Sequence, residues 1–343
     1  MIHLSVGLPG RLAAWCDAAL TRLAALSGQS VTSITLPGLP AQLLTLHAMA
    51  ILNEAALCLV RGNAAHIVVG ARFPDEGLFA ALRQSHAPFV LALDDPRLLV
   101  GEIMAEAGET LVATTRAVAN LCPLVMRYMA LPNGLAVRPC DARENGASTI
   151  LAMARHFGIA VSEDQAHAIS QDLPSPTGAN LPALGAEDQQ TLDGALGAYA
   201  AHFAGAPLGD IVWTGALFSL AYNTARAPNG PIPMRETDDK GCLIQGPFMR
   251  LPPGAWVAQI ALRVSPEGVG QTMTLDLCSS RQLAAGKSCP VTEDIHTTEM
   301  PFTIDDITWR DIQLRIFAIR ERMPGRLSFT HVLMHPVKIH QSG

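Results

Sequence analysis

VGLPGRLAAWCDAAL, residues 6–20, decides how the first half of the chain is read. The apolar run Ile2–Val6 leads into Gly7-Leu8-Pro9-Gly10, and then apolar residues recur at helical spacing. The order is strand, glycine turn, helix. A helix start presents unpaired N–H groups and favours an anion. A phosphate held there also needs a cation and hydroxyls. Here no Lys, Ser or Thr follows the glycines, and Arg11 is the lone cation of the turn.

Working outward, residues 1 to about 175 alternate between short apolar runs and longer helical patterns. The runs Ile2–Val6, Ala65–Val69, Pro88–Leu93 and Gly134–Arg138 have the continuous apolar character of buried parallel strands. Helical spacing is expected over 11–26, 40–62, 76–84, 97–107, 110–129, 147–157 and 163–170. Asn145 and Ser148 are expected to cap the helix at 147–157, and Gly158 to end it. Such alternation predicts an α/β domain with a doubly wound, mostly parallel sheet and a crevice at the C-terminal strand ends.

The stretches GLPGRLAAWCDAAL, FVLALDDPRLLVGEIM and LAVRPCDARENGASTILAMARHFGIAVSED occur in an order that resembles the P-loop sulfotransferases. That family opens with G-x-P-[KR]-[ST]-G-T-T-x-L, continues with R-D-P-R-x-x-x-x-S, and carries a later "fLGl", against HFGI at 156–159. The resemblance covers about the first 170 residues. It implies a donor site for 3′-phosphoadenosine 5′-phosphosulfate built from Gly7, Pro9, Gly10, Arg11, Asp94, Arg97 and Glu102.

Most of those positions depart from the pattern. Gly10 stands at the family's Lys or Arg, Arg11 at its Ser or Thr, Leu12 at its second glycine, and Ala13 and Ala14 at its threonines. Asp94 replaces the Arg of R-D-P-R, and Glu102 the later Ser. A carboxylate about 4 Å from a phosphate costs on the order of 4 kcal/mol at an effective dielectric near 20. The donor site is therefore expected to be lost, with no catalytic residue and no cofactor. Asp75, Asp94, Asp95 and Glu102 form an alternative carboxylate set for a metal or for acid–base work. Against this, Asp95 is well placed to cap a helix starting at Pro96. His3 and His66 read as core or edge histidines, and no metal site is expected.

Around 173–186, LPSPTGANLPALGAED reads as a linker, followed by a helix over 186–204. From about 210, alternating runs separated by PPG, SPEGVG, AAGKS and MPG predict an antiparallel β-sandwich of jelly-roll type. The domains read as 1–175, 176–209 and 210–343. IQGPFMRLPPGAWVAQIALRV, within the last, resembles the opening of carbohydrate-binding-module-like domains that accompany bacterial glycosyltransferases and envelope-polysaccharide proteins. Sugars stack on exposed aromatics, but Trp213, Phe218, Phe248, Trp256, Phe302, Phe317 and Phe329 mostly sit at inward positions. Trp309, in DDITWRD, is the expected glycan or partner contact. His331 and His335 fall about 13 Å apart on a strand, too far to share a metal without a bend.

The 343 residues include 49% hydrophobic and 16% charged residues, with a formal net charge of −6. That balance lacks the basic patch nucleic-acid binding needs. No apolar run reaches the roughly 18 residues of a membrane span, and the start lacks a signal peptide's pattern. Seven scattered cysteines without a CxxC read as free thiols of a reducing compartment. The expectation is a soluble cytoplasmic chain with an apolar face for a protein partner or a homodimer. The reading this favours is a non-catalytic accessory or scaffold protein of bacterial polysaccharide or envelope assembly. An active sulfo- or glycosyl-transferase with a remodelled donor site using that sulfate donor or another nucleotide, and a carbohydrate-binding protein, are the alternatives.

Overall fold

The structure is a computed structural model that describes residues 1–35, 65–176, 183–221, 230–234, 241–305, 311–318 and 324–337. The expected helix at 40–62, Cys58 and Trp309 lie outside the described residues. The chain divides into two compact units. One comprises Met1–Glu102 and Leu121–Pro182, the other Ile103–Asn120 and Ala183–Gly343.

The first unit holds a five-stranded parallel sheet. Its strands are β1 (Ile2–Gly7), β2 (Val31–Thr35), β3 (His66–Ala71), β4 (Phe89–Ala92) and β5 (Gly134–Val137), in the order β2-β3-β1-β4-β5. Four of these are the four apolar runs. β2, VTSIT, was not expected: among the described residues it is an edge strand paired only with β3, so it needs no continuous apolar sequence.

The helices are α1 (Arg11–Ala25), α2 (Glu76–Ser85), α3 (Pro96–Ala107), α4 (Leu111–Met129), α5 (Pro139–Glu144), α6 (Gly146–His156) and α7 (Glu163–Asp172). Leu12, Trp15, Ala19 and Leu23 recur at helical spacing along α1. They pack with Val68 and Val90 of the sheet and with Ile150 and Met153 of α6. Each buried Leu, Val, Ile or Met side chain among them contributes about 1.5–3 kcal/mol. Phe89 precedes Val90 in β4 and so faces the opposite side of the sheet. There it meets Tyr128 of α4 at 6.0 Å between ring centres, and Tyr128 meets Phe79 of α2 at 5.5 Å. Helices thus cover both faces.

Two local expectations need correction. Asn145 stands at the N-cap of α6 but its side chain makes no capping bond, and Ser148 lies inside the helix. The short α5 ends at the same residue, so the Asn145 backbone already serves two helices: its N–H donates to Asp141 and its C=O accepts from Thr149. Gly158 does end α6, with φ +69°, its N–H on the Arg155 carbonyl and that of Ile159 on Ala154.

The second unit contains α8 (Ala186–Phe203) and two antiparallel five-stranded sheets. The first runs β13 (His296–Ile304), β10 (Gly254–Val264), β15 (Arg326–Pro336) and β6 (Ile211–Thr214), with β8 (Ile232–Pro233) also on β15. The second runs β12 (Gln282–Ser288), β11 (Met273–Cys278), β14 (Ile312–Ala318), β9 (Cys242–Met249) and β7 (Ser219–Leu220). Alternation sets the buried faces: Ile312, Leu314 and Ile316 of β14 are buried, as are Trp256, Ala258 and Ile260 of β10. Pro252-Pro253-Gly254 carries the chain from one sheet to the other. Gly254 takes φ +147° there, and the Trp256 indole N–H donates to the Pro252 carbonyl at 3.0 Å.

AAGKS, expected as a turn, lies within β12. Ala285 and Lys287 are exposed and the buried end residue is the polar Ser288, so it carries little apolar alternation, and its pairing with β11 makes it a strand. Trp213, Phe218, Trp256, Phe302 and Phe329 are buried, whereas Phe248 is 37% exposed. Asn120 of α4 braces the end of β9: its amide donates to the Phe248 carbonyl at 3.1 Å and accepts from the Arg250 N–H at 2.7 Å. Among the described residues Cys16, Cys122, Cys140, Cys242, Cys278 and Cys289 form no disulfide. No helix among the described residues is long and apolar enough to cross a membrane.

Candidate functional site

In a parallel sheet every strand ends at the same edge. The pairs Val6–Ala71, Gly7–Ala92 and Ala92–Val137 bring the residues after β1, β3, β4 and β5 together. Leu8–Arg11, Arg72, Leu93–Arg97 and Arg138 therefore emerge at one place.

Gly7 ends β1 against β4. A Cβ there would lie 2.9 Å from the Ala92 Cβ, so close strand packing accounts for the glycine. Pro9 and Gly10 are half-buried, and Gly10 is the N-cap of α1 with extended backbone and no capping side chain. The helix start consequently lacks a local acceptor for its first N–H groups. Asp94 supplies one from the end of β4: the N–H groups of Ala13 and Leu12 face its carboxylate. These are the N2 and N3 positions that a local N-cap side chain would serve. A Cβ on Gly10 would lie 2.6 Å from Asp94 Oδ2.

Burial pushes the Asp94 carboxyl up to about 7. The Ala13 and Leu12 N–H groups oppose that shift, Glu102 adds to it and Arg72 opposes it. Near neutral pH the group is therefore divided between its two forms. It fills the space in both, and repels an anion in one. Asp94 Oδ2 is buried and has no hydrogen-bond partner among the described residues.

Arg11 and Arg97 of the edge have carboxylate partners. Arg11 turns outward, and its Nε lies 3.4 Å from Glu102 Oε1. Arg97 folds back on Asp95, with Nη2 2.7 Å from Oδ2 and Nε 3.0 Å from Oδ1. Asp95 also accepts the Arg97 N–H at 2.9 Å, as the capping reading expects. Leu12 and Ala13 are core residues, 0% and 1% exposed. Two of the positions that would have to present phosphate contacts thus face the hydrophobic interior, while Arg11 and Ala14 are exposed.

Arg72 and Asp17 escaped the sequence reading. Asp17 is buried in α1, and Arg72 Nη2 reaches it at 2.5 Å. Gly70 makes room, since a Cβ there would collide with the Asp17 carboxylate. Burial raises the Asp17 pKa, while Arg72 and a hydrogen bond from Ser5 lower it. Arg72 Nη1 is buried without a hydrogen-bond partner among the described residues. A lone acid inside an apolar helix face, 55 positions from its cation, leaves no spacing signal; a charged residue on an otherwise core-facing stripe was the available hint.

The wider carboxylate set does not assemble into a metal centre. Asp75 caps α2, accepting the Leu78 N–H at 2.9 Å, and Asp95 caps α3. Among the described residues no group of His, Cys, Asp and Glu could hold a metal ion. His3 is fully buried, stacked on His66 at 5.2 Å with a 2.9 Å Nε2–Nδ1 contact. Burial, then the neighbouring His66 and N-terminus, lower His3 to about 4. His335 pairs with Asp210 at 2.6 Å, away from any metal role.

No family model matches the chain, and no curated protein matches it in sequence. Among solved structures it is similar to a mouse sulfotransferase complexed with PAP, at 12% identity and a TM-score of 0.39, over 50% of this chain and 63% of that one. It is similar to a CBM4 structure at 13% identity and a TM-score of 0.19, over 29% of this chain and 61% of that one. It is also similar to an arabinose-bound α-L-arabinofuranosidase at 11% identity and a TM-score of 0.23, over 29% of this chain and 18% of that one. The chain spans less than two thirds of the length of each.

Proposed function

We propose that this chain is a non-catalytic, sulfotransferase-like accessory or scaffold protein. The reading rests on the sequence order described above and on one structural observation: the Asp94 carboxylate occupies the start of α1, where a donor phosphate would have to sit. Arg11 and Arg97 are engaged by Glu102 and Asp95, and Leu12 and Ala13 are committed to the core. A protein whose helix terminus is served by its own side chain keeps the scaffold and gives up the donor.

We read residues 210–343 as a β-sandwich made by its two antiparallel sheets, and a protein partner or a second copy as what the scaffold holds. The setting we infer, bacterial polysaccharide or envelope assembly in the cytoplasm, is supported by the phrase around LPPG at 251–254 alone.

The test is calorimetric titration of the full chain with 3′-phosphoadenosine 5′-phosphate, and with ATP and Mg²⁺. The expected result is no saturable heat in either titration. Micromolar binding that Arg11→Ala abolishes would overturn the reading and restore the transferase alternative.

A further inference from the structure

The second unit contains a cleft of about 340 Å³ far in sequence from the α1 start. Its polar lining comes from three elements: Glu187, Gln190 and Thr191 in the first two turns of α8, Thr214 at the end of β6, and Thr330 and His331 in β15. Of these residues the sequence raised only His331, as a metal partner of His335 that the strand spacing disfavours.

The backbone prepares this cleft. Along β15, Phe329 pairs with Leu262 and His331 with Ala261, so Thr330 is an extra residue, a β-bulge. The bulge shifts the phase of the strand: Leu327 and Phe329 are buried before it, Val332 and Met334 after it. Phe329 is fixed against Phe218 at 4.6 Å, while Thr330 and His331 are delivered to the lining. Bulges of this kind re-aim side chains. On the opposite wall, α8 lies close to β6: a Cβ on Gly194 would be 2.9 Å from the Val212 carbonyl oxygen. That approach sets the Thr191 and Thr214 hydroxyls 2.9 Å apart, with Thr191 1% exposed. Each hydroxyl can donate once and accept twice, so the pair retains capacity for a ligand.

The chemistry selects a class. No Lys or Arg stands among the lining residues described, and Glu187 adds a carboxylate, so a phosphate, sulfate or carboxylate ligand is opposed. A single carboxylate is a poor match for a polycation. Hydroxyls, a carboxamide and an imidazole remain, all able to both donate and accept or to do one beside the other. The volume lies at the lower end of small-ligand sites, which run from about 300 to 1,000 Å³. We propose that this cleft binds an uncharged polyhydroxylated ligand of monosaccharide size. The proposal stands apart from the reading of the α1 start, since it uses other residues of the other unit.

The experiment is a titration of the full chain with D-glucose, D-galactose and myo-inositol, followed by calorimetry, with spermidine and inorganic phosphate as charged controls. At least one neutral compound saturates, with little dependence on salt. Gln190→Ala and Thr330→Val each weaken that binding by about tenfold, at an unchanged melting temperature. Failure of all three neutral compounds to saturate, saturation that survives both variants, or saturation by spermidine or phosphate alone would each overturn the proposal.

Discussion

Gly10 and Asp94 are complementary: the N-cap residue of α1 has no side chain, and the carboxylate from the end of β4 fills the space and serves the helix instead. A Cβ on Gly10 would stand 2.6 Å from Asp94 Oδ2, and the Ala13 and Leu12 N–H groups face the same carboxylate. Gly10→Ala is therefore expected to destabilise the protein by about 1–3 kcal/mol, the usual cost of an added methyl in packed surroundings. In an Asp94→Gly background the same change costs far less. Urea denaturation of the four proteins measures the coupling; equal costs in both backgrounds would show that the two residues act independently.

Asp94 and His3 pull the pH profile in opposite directions. With Asp94 raised to about 7 from 3.8, the native state holds a proton that the unfolded state has lost, so its contribution falls as pH rises through that window. With His3 lowered to about 4 from 6.5, the unfolded state binds the extra proton, so its contribution grows with pH over that range. Asp94→Asn removes only the first effect. Its melting temperature relative to the parent protein is expected to climb between pH 4 and pH 7 and then level off. A difference that stays constant across that range would exclude the raised Asp94 carboxyl.

The two ion pairs of α1 differ in value because they differ in burial. Arg72→Met strands the buried Asp17 and is expected to cost about 3–5 kcal/mol. Arg72→Met with Asp17→Leu recovers much of that loss, as no buried charge is left without its partner. Arg11→Ala breaks an exposed pair with Glu102 and costs about 1 kcal/mol or less. Chemical denaturation of the three variants ranks them; an Arg11→Ala loss equal to that of Arg72→Met would contradict the argument.

Asn120 supplies both a donor and an acceptor to the backbone at Phe248 and Arg250. Asn120→Ala leaves those groups to water, at a cost of about 1–3 kcal/mol. The local signature is faster hydrogen exchange of the Arg250 amide. Asn120→Asp keeps the acceptor for that amide and is expected to retain its protection while losing the bond to the Phe248 carbonyl.

Local patterns carried much of the fold. The four apolar runs became β1, β3, β4 and β5, the periodic stretches from 11–26 to 186–204 that fall in described residues became helices, and Gly158 ended its helix as its freedom at positive φ predicts. The misses at β2 and β12 share a cause. β2 and β12 are edge strands whose side chains need not alternate, so pairing with a neighbour defines them. At the candidate site, the missing Lys, Ser and Thr were legible, and so was the misplaced acid at 94.

What the residues by themselves determined is which chemistry was absent from the glycine turn and which segments were strands or helices, because those depend on side-chain type and on spacing of a few positions. What the tertiary structure alone decided is where the remaining charges went. Asp94 turned to the N–H groups of α1, Arg11 to Glu102, Arg97 to Asp95 and Arg72 to the buried Asp17. The bulge at Thr330 likewise arises only when β15 is laid against β10. Each choice is a contact between segments distant in the chain or a balance of burial against pairing, and neither is encoded in any single stretch.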